Sequence, residues 1–469
     1  MANIARRSVL AAVLASGALP PLVYGQAAPK AQPGHLPLQV FADVLGRDEA
    51  KALAALRRMA DPWRESSAAL LIEMVYRIPS QRVLLQAIAL IEKQTAIAFN
   101  GDVNPWYEWL WQAERPMHPD AAQFKSLLYA PIDPRFAEYF DGKPTSLIRL
   151  DEIRWGGVRR DGIPPLRNPK MLAVKDASWL ADDDIVFGVA IRGEGGDGGE
   201  GGDVRAYPKR ILAWHEMFTD KIAGREMAGV YCTLCGALVL YDVTAKGVQH
   251  ALGTCGFLYR SNKLMYDQAT KSMWSTLTGS PVLGALVNKG IELQSLFVVT
   301  TTWKEWRNRH PGTQVLSLDT GHRRDYDEGV AYRDYFATDR LMFNVPKPDS
   351  RLPNKAEVLA LRTTRAGGDT LAIASDLLAR QPVYAGSLAG ADFVVLTDAS
   401  GANRVYDATG VRFATWDKQA SVTDSQGGVW KMDEAQLTSP SGVVRLRQSA
   451  HRAFWFGWHA AFPGTRLVQ

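Results

Sequence analysis

Ala228-Gly-Val-Tyr-Cys-Thr-Leu-Cys-Gly-Ala-Leu-Val-Leu-Tyr241 sets two thiols, Cys232 and Cys235, between two short apolar runs. Runs of this length and composition read as strands, and the four residues between them as a tight turn. Gly236 supplies a residue free to enter the left-handed region that such a turn needs. A strand–turn–strand setting is the local shape of a metal-binding knuckle, in which backbone N–H groups point at thiolates. A thioredoxin-type dithiol would open a helix instead, whose N-terminal dipole lowers the thiol pKa. The sequence after Cys235 continues as a strand, so the motif predicts soft-metal chemistry ahead of disulfide exchange.

Cys255 is the only other cysteine in 469 residues. A chain this sparing with thiols is not stapled by a disulfide framework. A closed zinc site would bring a second knuckle or two histidines, and neither follows at standard spacing. Further ligands must come from elsewhere in the chain. The candidates are His215 in Trp214-His-Glu-Met217, Cys255 in Gly253-Thr-Cys-Gly256, and Met265. Thiolates with an imidazole and a thioether suit copper, or alternatively zinc, and disfavour magnesium and calcium.

Outward from the knuckle the texture stays β-rich. Ile185 to Arg192 and Val204 to Tyr207 read as a hairpin whose tip, Gly193 to Gly202, is an acidic glycine-rich extension. That tip lacks the lysine and serine or threonine of a phosphate loop. The polar run Tyr259-Arg-Ser-Asn-Lys263 offers donors that could line a substrate cleft through Tyr259, Arg260, Asn262 and Lys263. The acidic residues around Gly321-His322 read as a surface loop and lack an EF-hand pattern. His310 and His459 read as structural. There is no serine-nucleophile elbow or zinc-protease helix motif, and no catalytic residue is assigned.

Residues 36–145 read as helical. Leu53, Leu56 and Met59 recur at helical spacing, as do Leu70, Leu71, Met74, Val75 and Ile78. Asp61-Pro62 reads as a helix start. Trp106, Trp109 and Trp111 read as core and interface. The expected fold class is α+β: an N-terminal helical-repeat layer followed by two related, mostly β lobes. The relation rests on an ordered internal repeat. Tyr241-Asp242 recurs as Tyr406-Asp407, Trp303-Lys-Glu-Trp306 as Trp455-Phe-Gly-Trp458, and Pro311-Gly-Thr313 as Pro463-Gly-Thr465. The expected division is a helical domain at 36–145, a cysteine-bearing β-rich domain at 146–345, a linker at 346–354 and a degenerate second lobe at 355–469.

Residues 1–27 read as an export signal: Arg6-Arg7, an apolar core from Ser8 to Leu19, and small residues at Gly25-Gln-Ala27. Arg-Arg-Ser-Val-Leu resembles a twin-arginine signal, a route for proteins exported already folded. No other apolar run approaches the length of a membrane span. The mature protein is expected to be periplasmic or secreted. A formal charge of +5, with 46% hydrophobic and 22% charged residues, describes an ordinary globular chain and gives no footprint for nucleic acid. The expected partners are a small molecule or peptide, and a protein docked on the helical layer.

Several motifs together are similar to a widespread family of exported bacterial and archaeal proteins catalogued as a domain of unknown function. They are Asp161-Gly-Ile-Pro-Pro165, Arg205-Ala-Tyr-Pro208, Trp214-His-Glu216, Tyr231-Cys-Thr-Leu-Cys-Gly236, Gly253-Thr-Cys-Gly256, Leu258-Tyr-Arg-Ser-Asn262, Met265-Tyr-Asp267 and Trp274. The resemblance covers roughly residues 145–345. It implies an exported, soluble protein and supplies no activity. The family pattern usually has serine where this chain has Cys255, which leaves Cys232, Cys235 and His215 as the stronger ligand set. The functional expectation is an extracytoplasmic copper-binding protein; as an enzyme it would be an oxidoreductase acting on a small molecule or peptide. The alternatives are a periplasmic thiol–disulfide protein using Cys232 and Cys235, and a non-catalytic binding scaffold.

Overall fold

The computed structural model describes residues 34–192, 202–363 and 368–469. The segment expected to be an export signal, most of the glycine-rich extension and residues 364–367 lie outside the described residues. No helix among those described is long and apolar enough to cross a membrane.

The chain is α+β. Its first third forms the helices Leu38–Val44, Glu49–Ala60, Ala68–Met74, Gln81–Thr95, Asn104–Trp111 and Ala121–Tyr129. Asp48 and Ser80 cap two of them, accepting the backbone N–H groups of Lys51 and Val83. Asp61-Pro62 ends a helix rather than starting one: Glu49–Ala60 stops there, with Asp61 extended. The residue before a proline is disfavoured in the α region, and that outweighs the capping reading.

The helices bury Leu56, Met59, Leu71 and Trp106 against one face of a five-stranded sheet. Its strand order is Ile153–Trp155, Leu252–Tyr259, Asn262–Asp267, Met273–Ser275 and Pro281–Leu283. A second sheet runs Ser295–Leu296, Ala237–Asp242, Arg225–Cys232, Met217–Ile222 and Leu166–Arg167. A third runs Val299–Thr302, Ile185–Ile191, Asp203–Pro208, Gln314–Leu316 and Met171–Ala173. The C-terminal part adds a four-stranded sheet of His451–Phe454, Glu357–Arg362, Thr370–Ala374 and Arg466–Val468, then sheets of three and five strands. The short helix Trp455–Ala461 leaves the four-stranded sheet and covers the cysteine turn.

Strand alternation sorts side chains between cores, because successive residues face opposite sides of a sheet. Leu264 and Tyr266 face the helices, while Met265 faces the core that holds Cys232 and Cys235. In the second sheet, Tyr231, Leu238 and Leu240 face one core, and Cys232, Ala237 and Val239 face the other.

His451 opens the strand that leads into the covering helix. Burial pushes its pKa down to about 4, with Arg362 adding to the effect. The sign follows from which state binds the proton. Above pH about 6.5 the ring is neutral in both states and nothing is lost. As pH falls toward 4, the unfolded chain takes up a proton that the folded chain refuses, so stability drops. The loss reaches about 3 kcal/mol at pH 4. Urea midpoints should therefore fall between pH 7 and 5, and a His451→Leu variant should flatten that fall. An unchanged slope in the variant would contradict the assignment.

Candidate thiol centre

The pair Cys232 and Cys235 lies in a hairpin. Arg225–Cys232 pairs antiparallel with Ala237–Asp242, and Cys232 faces Ala237 across the turn. Gly236 closes the turn at φ +64°, a conformation that side-chain-bearing residues adopt only at a cost. The Cys235 N–H donates to Cys232 Sγ at 3.4 Å, and the Cys235 thiol lies 3.8 Å from the Cys232 carbonyl. This is the knuckle expected from the sequence, with a backbone donor aimed at the first sulfur.

The two thiols differ electrostatically. Burial alone would raise both. For Cys232 it is outweighed by hydrogen bonds from the Cys235 thiol and from the N–H groups of Lys263 and Cys235, and the net shift is downward. Cys235 is held well above the ordinary thiol range by burial and by its neighbour Cys232. Each cysteine is about 1% exposed.

Four contacts fix the turn. Thr233, between the cysteines, donates to Glu216 at 2.8 Å, and the Tyr335 hydroxyl donates to the Leu234 carbonyl at 2.7 Å. The Phe454 N–H donates to the Cys235 carbonyl at 2.7 Å. The fourth is steric: a Cβ placed on Gly457 would lie 2.5 Å from Cys235 Cβ. Glu216 itself is buried, left-handed at φ +55°, and receives Lys263 Nζ at 2.7 Å and the Tyr332 hydroxyl at 3.0 Å. Sequence reasoning missed Glu216, Thr233, Tyr332, Tyr335 and Gly457. The signal for Glu216 was present, since it follows His215 in the motif read for its histidine.

Of the other expected ligands, Met265 shares the buried core of the pair. Cys255 and His215 do not join it. Cys255 faces the helical layer, where its thiol donates to the Leu264 carbonyl at 3.1 Å and burial pushes its pKa up to about 12. Cys255 and Met265 occupy adjacent strands of one sheet but opposite faces. His215 spends both ring nitrogens, at 2.9 Å from the Pro164 carbonyl and 2.6 Å from the Tyr326 hydroxyl. Tyr326 belongs to the core on the far side of the hairpin from Cys232. Among the described residues, no group of three or more His, Cys, Asp or Glu is placed to hold a metal ion.

The donors expected to line a cleft are largely engaged within the protein. Arg260 is paired with Glu152 and donates to the Ala460 carbonyl at 3.1 Å. Asn262 Nδ2 donates to the Gly457 carbonyl at 3.0 Å, and Lys263 is tied to Glu216. Tyr259 is partly buried beside Arg260, its ring 5.1 Å from the guanidinium. Arg260, Asn262 and Lys263 thereby bind the separate hairpin of Leu252–Tyr259 and Asn262–Asp267 to the helical region, to the covering helix and to the knuckle support.

This buried thiol hairpin lies within the part of the chain that a family model recognises. The model, described as a protein of unknown function (DUF3179), matches residues 160–465. The chain belongs to that family. No curated protein and no solved structure matches it.

Proposed function

We propose that this is an exported copper(I)-binding protein in which Cys232 and Cys235 are the ligands and Met265 lies alongside as a thioether. The observation that carries the reading is the knuckle: two buried thiols in a β-hairpin, with a backbone N–H donating to Cys232 Sγ. Soft sulfur ligands select copper(I) among the available metals. Zinc asks for four ligands, and the described residues supply no third one from His, Cys, Asp or Glu. A monovalent ion held between two thiolates leaves a single net negative charge in the buried site, one fewer than a bare dithiolate would. The near-complete burial of both sulfurs favours retention or relay of the metal over oxidation of a substrate. Export rests on the N-terminal Arg6-Arg7 and the apolar stretch after it.

A competition titration against a copper(I) chelator tests the proposal. The wild-type protein should take up one equivalent. Cys232→Ser and Cys235→Ser should take up none, while Cys255→Ser and His215→Gln should match the wild type. Full copper content in Cys232→Ser would refute it.

A second reading has its own observation. The lowered Cys232 beside the raised Cys235 is the asymmetry of a dithiol that cycles through a disulfide. It requires fast alkylation of Cys232 in the reduced, metal-free protein. We expect slow alkylation at both positions, because each thiol lies beneath the covering helix.

We also propose that the β-rich part arose by internal duplication. Its support is a shared pairing pattern. Ile185–Ile191 and Asp203–Pro208 pair antiparallel, with Val299–Thr302 antiparallel on one flank and Gln314–Leu316 parallel on the other. Glu357–Arg362, Thr370–Ala374, His451–Phe454 and Arg466–Val468 repeat that arrangement. Trp306 Nε1 donates to Thr313 at 3.0 Å, and Trp458 Nε1 to Thr465 at 2.9 Å.

A further inference from the structure

On the far side of the hairpin from the thiols, Tyr326 is one of the residues lining an open cleft of about 710 Å³, with Trp179, Arg210, His322, Arg324 and Asp327. Behind it stands a linear hydrogen-bonded chain. A carbonyl only accepts, so the 2.9 Å contact to Pro164 fixes the His215 proton on Nδ1. The other nitrogen, Nε2, is then the acceptor, and the Tyr326 hydroxyl donates to it at 2.6 Å. With its proton so committed, Tyr326 can only accept from Thr320, whose hydroxyl lies 2.6 Å away. Burial holds His215 neutral, lowering its pKa to about 4, and the nearby His322 and Arg324 act in the same direction.

Ordinary acid–base work does not suit this pair. A neutral phenol is far too weak an acid to protonate so poor a base. The situation inverts when the phenol loses an electron, because a phenol radical cation is a strong acid and even a depressed imidazole takes its proton. Two other buried tyrosines donate to an acceptor engaged elsewhere or to a carbonyl. Tyr207 meets Asp220, itself paired with Arg205, and Tyr241 meets the Thr276 carbonyl. Tyr326 combines an imidazole acceptor of fixed tautomer with a place in the lining of a cleft.

We infer that Tyr326 is a redox-active tyrosine, with His215 as its proton acceptor, serving a one-electron acceptor of the transition-metal-complex class that enters the cleft. In the step, Tyr326 gives one electron to that acceptor and its hydroxyl proton to His215 Nε2. The products are a neutral phenoxyl radical, an imidazolium whose Nδ1–H stays on Pro164, and an acceptor reduced by one electron. Re-reduction returns the proton along the same bond. This inference uses neither Cys232 nor Cys235 and stands or falls apart from the copper proposal.

The probe is hexachloroiridate(IV) added to the full-length, metal-free protein, with the product read by electron paramagnetic resonance. The expected result is a tyrosyl signal with a solvent-deuterium effect on its rate of formation. Tyr326→Phe should lose that signal. His215→Gln, which can accept the hydrogen bond but not the proton, should lose the isotope effect and most of the yield. Fluorotyrosine at position 326 preserves the side chain's shape and should add fluorine splitting, which keeps the test open if Tyr326→Phe does not fold. A tryptophan radical from Trp179 or Trp214, an unchanged signal in Tyr326→Phe, or no fluorine splitting would overturn the inference.

Discussion

Glu216→Ala is expected to destabilise the protein by about 3–5 kcal/mol, the usual cost of leaving one member of a buried ion pair behind. Lys263 would keep a buried ammonium with its 2.7 Å partner gone. Thr233 and Tyr332 would lose their acceptor as well. Thr233 sits between the two cysteines, so the same change should loosen the knuckle and weaken copper(I) binding. Removing both charges in Glu216→Leu/Lys263→Met should cost much less than the sum of the single changes, because no unpaired ion remains. Urea unfolding of the wild type, Glu216→Leu, Lys263→Met and the double variant completes the cycle. Additive costs would mean that the pair is solvated and does not support the turn.

Gly457→Val is the second large effect. Any Cβ at this position would sit 2.5 Å from Cys235 Cβ and 3.3 Å from Asn262 Oδ1. The covering helix cannot swing away, because Phe454 ties its start to the turn at Cys235 and Asn262 ties Gly457 to the strand Asn262–Asp267. Overpacking of this kind costs about 1–3 kcal/mol, and more where backbone must shift. Here the shift falls on a thiol, so copper(I) affinity should fall with stability, and Gly457→Ala should show the same trend more weakly. Chelator competition and thermal unfolding on the same samples would separate the effects. Wild-type affinity in a destabilised Gly457→Val protein would mean that the covering helix does not position Cys235.

The knuckle was legible because its signals are local: apolar runs on both sides, four residues of turn, and glycine where φ must be positive. The same holds for the 185–208 hairpin and for the N-terminal helices. Asp61-Pro62 misled because a cap followed by proline reads as a helix start, while the proline also disfavours helical conformation in the preceding residue. The ligand set was less legible. His215 and Cys255 flank the pair closely in sequence, but strand alternation turns Cys255 into the helical core, and His215 ends the helix Lys209–His215 against Tyr326 on the far side of the cysteine hairpin. The Leu264-Met265-Tyr266 alternation held that information, since it puts Met265 on one face and its neighbours on the other. The support from Tyr332, Tyr335 and Gly457 is set by chain segments about 100 or more residues away, and no local pattern announces such contacts.

The most direct test of the central claim is copper K-edge X-ray absorption on the protein loaded with one equivalent of copper(I). Two short copper–sulfur bonds, with at most one longer sulfur from Met265 and no nitrogen shell, are the predicted result. A nitrogen shell, a four-sulfur shell or an identical spectrum in Cys235→Ser would contradict it.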